Sequence, residues 1–173
     1  MQLDQNTEYH QEKCILASVE AIENSLQNLS QSAEASPTMF VDALTYLDTA
    51  HETAASYLRD VKKFADKPPS LDMRLLKLVN LSFMTTYLGH AQNNIAQKID
   101  NPELTPFFRA AMKRCNASIV ELSAQVEDTV KRGKYTIEFE KARLGSAAKT
   151  PAKPQATRPT WMKLVVDNTP VCS

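Results

Sequence analysis

Residues 40–65 read FVDALTYLDTAHETAASYLRDVKKFA, and this stretch decides the fold. Phe40, Leu44, Leu47, His51, Ala54, Leu58, Val61 and Ala65 follow one another at alternating steps of 4 and 3. With 3.6 residues per helical turn, those positions fall along one side of a helix. A seam this narrow, repeating every seven residues, packs helix against helix in coiled-coil fashion. One histidine, His51, stands at its middle.

The same spacing recurs on either side. Ile15, Val19, Ile22, Leu26, Leu29 and Ala33 mark a first helix over about 7–34. Ser36-Pro37 then reads as a cap followed by proline at the first helical position, where its missing N–H costs nothing. The second helix is therefore expected over about 37–66, ended by Pro68-Pro69. Ser70 caps a third, over about 71–100. It has two stripes, Leu81, Met84, Leu88, Ala91, Ile95, Ile99 and Leu76, Val79, Phe83, Tyr87, His90, Asn94. Two stripes imply two or more neighbours, so this helix is expected to be the most buried. Thr105-Pro106 repeats the cap signal. Phe108, Met112, Cys115, Ile119, Leu122, Val126 and Val130 carry the fourth helix, read as continuing over about 106–144 with Gly133 as a weak point.

The architecture expected from these seams is all-α: an antiparallel up-down-up-down four-helix bundle spanning residues 1–144, because short connections make sequential helices antiparallel. Only 3 glycines occur in the 173 residues, too few for a turn-rich β domain. Residues 145–160 form a linker rich in Pro, Lys and Ala, expected to be extended. Residues 161–173 hold the single tryptophan in an apolar island, Trp161, Met162, Leu164, Val165 and Val166, read as a docking motif.

Formal net charge is zero, but residues 1–66 carry 11 acids against 4 bases, and residues 67–173 carry 9 acids against 16 bases. Such asymmetry can orient partners. The 3 cysteines, Cys14, Cys115 and Cys172, show neither a CxxC spacing nor an even count, so neither a zinc site nor a disulfide framework is expected. The N-terminal MQLDQNTEYHQEK lacks a basic segment followed by an apolar run, so no secretory signal is read and a cytoplasmic location is expected. No run of about 18 apolar residues suggests a membrane span.

Few residues offer chemistry. His51 and His90 could share a metal. At about 1.5 Å per residue they lie roughly 21 Å and roughly 28 Å from the same end of such a bundle, whereas His10 lies too low to join them. A metal-binding bundle or hydrolase centred on His51 and His90 is therefore an alternative. The other reading of His51 is a buried polar pin that sets helix register. No Glu-x-x-His pair marks a carboxylate-bridged metal centre. Lys131, Arg132, Lys134, Lys141, Arg143, Lys149, Lys153, Arg158 and Lys163, interleaved with Tyr135, Phe139 and Trp161, offer a second alternative, nucleic-acid binding through the basic C-terminal region. Glu138 and Glu140 interrupt that stripe, so nucleic acid is the weaker expectation. The leading expectation is no enzyme and no cofactor. It is a protein–protein interaction module, of adaptor, chaperone-like or assembly type, which could also self-associate. It would engage a protein partner through the bundle and through Trp161, Met162, Leu164, Val165 and Val166.

Overall fold

A computed structural model describes the backbone of residues 3–63 and 70–147, and the side chains of residues 13–59 and 70–145. Four helices occur, α1 (Leu3–Ser30), α2 (Val41–Lys63), α3 (Leu71–Ile99) and α4 (Pro106–Ala147), and no strand occurs among the described residues. The fold is the expected all-α four-helix bundle. Of the expected 145–160 linker, residues 145–147 instead continue α4, and the rest of it, with the tail motif, lies outside the described residues.

The first two helix boundaries differ from expectation for a local reason. Around Ser30 the hydrogen bonds tighten. Ser30 Oγ donates to the Gln27 carbonyl at 2.7 Å, and the Ser32 and Ala35 amides donate to the carbonyls of Leu29 and Ser32 at 3.1 and 3.0 Å. Serine hydroxyls compete for backbone carbonyls in this way, and α1 stops at Ser30 instead of reaching Glu34. Pro37 does not open α2 either. The Met39 amide donates to the Ser36 carbonyl at 3.0 Å, which closes a four-residue turn with serine first and proline second. Those are favoured places for both residues in a turn. Helix α2 starts only at Val41, with Asp42 in its first turn to suit the helix dipole.

The later caps behave as expected. Ser70 Oγ accepts from the Met73 amide at 3.3 Å, and Thr105 Oγ1 accepts from the Phe108 amide at 3.2 Å. Each satisfies one of the free N–H groups of a helix start.

The chain divides into two compact units at Glu138/Phe139. The first holds α1, α2, α3 and most of α4. Its core includes Val19, Leu26, Leu47, Met84, Leu88, Ile95, Met112, Ile119 and Val126, so all four helices contribute. Phe40 and Phe108 meet within it, ring centroids 6.2 Å apart. Between α2 and α3, Tyr46 faces His90 while Asp42 faces Asn94 and the Met39 carbonyl accepts from Lys98 Nζ. Residue numbers fall on one helix as they rise on the other, so the two run antiparallel. In the second unit the described portion is the end of α4, where Phe139 and Leu144 are exposed.

Two packing details depart from the seams. On α2 the buried line is Phe40, Ala43, Leu47, Ala50, Ala54 and Leu58, while Leu44 and His51 are only partly covered. Alanines at 43, 50 and 54 place the backbone, not long side chains, nearest the core. On α3 the line Leu81 to Ile99 is buried as expected, but Leu76, Val79, Phe83 and His90 of the second stripe are exposed. The expectation that α3 is covered on both stripes therefore fails along its outer side.

Helix α4 shows no break at Gly133. A Cβ built there would stand 2.7 Å from both Leu78 methyls. The glycine marks the close approach of α4 to α3 and is no helix end.

Candidate functional site

His51 lies on the α1-facing edge of α2 and is not sealed in the core. Its side chain is 31% exposed, with Nε2 3.3 Å from a Glu20 carboxylate oxygen and Nδ1 3.5 Å from one of Glu23. Glu20 and Glu23 are three residues apart on α1 and so share one face of it. His90 is exposed and stacked on Tyr46, ring centroids 5.0 Å apart. Each histidine is thus taken up by a different neighbour, and the two are not brought to a shared centre. Among the described residues, no group of three or more His, Cys, Asp or Glu side chains is placed to hold a metal ion.

The basic segment is partly neutralised within its own helix. Lys131 lies 3.6 Å from Glu127, and Arg132 lies 2.6 Å from Asp128. Both pairs are one turn apart and solvent-exposed, an arrangement typical of a solvated helix face. Tyr135 beside them is exposed.

Among the described residues, two concavities between helices stand out. The larger, about 640 Å³, runs between α1 and α4 and is lined by Ile22, Leu29, Phe107, Phe108, Ala111 and Cys115 among others. Phe107 stands at its lip, 77% exposed, while Phe108 next to it is buried. Pro106 starts the helix, so Phe107 and Phe108 lie in its first turn and point to adjacent faces. Burial pushes the Cys115 thiol above its ordinary range, with the Arg114 guanidinium opposing it, so the neutral thiol is favoured at this wall. The smaller concavity, about 340 Å³, lies between α2 and α3. Tyr57, Phe83 and Tyr87 line it with Glu52, Lys77 and Asn80. Lys77 is buried despite its charge.

Trp161, Met162, Leu164, Val165 and Val166, the expected partner-binding residues, lie outside the described residues. Phe107 was missed from the sequence because it sits one residue off the α4 seam. The outer line of α3 was seen but read as covered. No signal in the sequence corrects that, because the absence of Asp, Glu, Lys and Arg from Leu78 to Gln97 itself favours a covered face.

Comparison with protein-family models, with curated proteins and with solved structures finds no match for this chain. No helix among the described residues is long and apolar enough to cross a membrane.

Proposed function

We propose that this chain is a non-enzymatic protein–protein interaction module, in which a rigid helical bundle presents apolar surface and the segment Trp161–Val166, on its tether, adds a second point of attachment. The observation that carries this reading is the line of apolar side chains left in water on α3. Leu76 and Phe83 are each 54% exposed, and Val79 lies between them. Single exposed apolar residues are ordinary, but a contiguous line at helical spacing marks a surface that other protein covers. A cytoplasmic location and adaptor or assembly duty belong to the same proposal.

The test compares the full chain with one ending at residue 144 and with a Leu76→Ser/Phe83→Ser variant, each used to capture partners from a lysate of the source organism. Loss of a specific, saturable partner in the last two is expected. Indistinguishable capture by all three would sink the reading.

A further inference from the structure

The outer face of α3 carries a second heptad seam. Leu76, Val79, Phe83, Thr86, His90, Asn93 and Gln97 follow at alternating steps of 3 and 4, and every one of them is exposed. The buried line Leu81, Met84, Leu88, Ala91 and Ile95 lies on the other side of the helix. One helix thus bears a seam that the core uses and a seam of the same period that faces out. The second has the geometry that packs against another helix. We propose that this face pairs with the same face of a second copy of this chain, related by a two-fold axis. The proposal rests on the interaction reading above and names its partner.

Charge selects the second copy. A foreign helix is usually chosen by opposite charges flanking the seam, and the twenty residues from Leu78 to Gln97 hold no Asp, Glu, Lys or Arg to make that choice. Across a two-fold axis that runs along the paired helices, each group meets its own copy. A charged group would there oppose its like. Carboxamides and hydroxyls each carry both donor and acceptor, so they can be satisfied by their own kind. The polar positions of this seam and its border are Asn80, Thr86, His90, Asn93 and Gln97: carboxamides, a hydroxyl and one imidazole, whose neutral form also carries one donor and one acceptor. Self-pairing also removes Leu76, Val79 and Phe83 from water together. Interface centres are poor in charge and rich in aromatic side chains, with charge kept to the rim. Glu52 of α2, beside Phe83 in the smaller cleft, stands at such a margin.

Sedimentation equilibrium of the full chain, from about 1 µM to about 200 µM, tests this over the range expected of a modest interface. The expected result is a mass rising from that of one 19.3 kDa chain to that of two. Phe83→Glu is expected to weaken association by at least about tenfold, as is Thr86→Lys, which adds only a like charge to the seam. Val120→Glu, on an exposed α4 position, should leave association unchanged. Helical content by circular dichroism, and melting at a concentration where the parent is monomeric, should match the parent in each variant, because all three sites are exposed. If Phe83→Glu fails to fold, Thr86→Lys decides alone. A chain monomeric throughout, or a dimer that neither seam variant weakens, overturns the proposal. Loss of dimer with tail-dependent capture intact would leave the interaction reading standing. The reverse would remove that reading and keep the dimer.

Discussion

The Glu34 carboxylate holds Thr105 at two atoms, accepting from its backbone N–H at 3.2 Å and from its hydroxyl at 3.0 Å. The Thr105 hydroxyl oxygen accepts in turn from the Phe108 amide at 3.2 Å. The turn that follows α1 is thereby tied to the start of α4. Two amides at that helix start are satisfied, and a negative charge stands at the positive end of the helix dipole.

Thr105→Ala should therefore lower stability by about 1 kcal/mol, the usual loss for a cap. Glu34→Ala should cost about 0.5–1 kcal/mol through the lost charge and bond. The double variant should cost less than the sum, with a coupling of about 0.5 kcal/mol or more in urea denaturation. Strict additivity would show that the two residues act independently.

The contact between Gly133 and Leu78 gives a prediction whose sign depends on background. Alanine at a mid-helix glycine gains about 1 kcal/mol of helix propensity. Here the added methyl would meet both Leu78 methyls at 2.7 Å, and overpacking of that kind costs about 1–3 kcal/mol. Gly133→Ala alone should be neutral to destabilising. In a Leu78→Ala chain, where the obstructing methyls are gone, the same substitution should stabilise by up to about 1 kcal/mol. Thermal melts of the four chains form the cycle, and the same sign in both backgrounds would refute the steric account.

Ala50 is buried and its neighbour His51 is partly exposed, so the two should respond to one substitution with different magnitudes. Ala50 is fully buried, so Ala50→Leu should cost about 1–3 kcal/mol by overpacking, more if the helices separate. His51 reaches Glu20 and Glu23 at the bundle edge, where partly exposed polar contacts contribute about 0–1 kcal/mol. His51→Leu should change stability by no more than about 1 kcal/mol. A larger loss at His51 than at Ala50, read by denaturant midpoint, would restore the idea of a buried register pin.

That pair also shows how far the pattern of residues could be read without coordinates. The α4 seam was fully legible, because Phe108, Met112, Cys115, Ile119, Leu122, Val126 and Val130 are large, regularly spaced and all buried. On α2 the choice lay between Leu44 and Ala43, and between His51 and Ala50. Bulk favoured Leu44 and His51, but the core took the alanines, whose small side chains let helices approach. For α3, periodicity identified two stripes and could not tell which of them had a neighbour. That fact lives in the tertiary arrangement. Phe107 was illegible for the same reason, since an exposed aromatic beside a seam has no periodic signature.

The last prediction concerns Cys115. Burial raises its folded-state pKa, so the folded protein holds the thiol proton more tightly than the unfolded chain does. A group raised in this way contributes stability that is fully present below the unfolded thiol value, about 8.5, and is lost as pH rises through the folded value. Stability measured by denaturant should therefore fall as pH rises above the unfolded thiol value, and Cys115→Ala should show a shallower fall. The same burial predicts reactivity. In a Cys14→Ser/Cys172→Ser chain, Cys115 should react with a disulfide reagent at least about tenfold more slowly than Cys14 does in the Cys115→Ala/Cys172→Ser chain, because Cys14 is exposed. Denaturant should abolish the difference. Equal rates in the folded chains would mean that the wall of the α1–α4 groove opens readily, and the rigid presentation surface proposed for this bundle would have to be abandoned on that side.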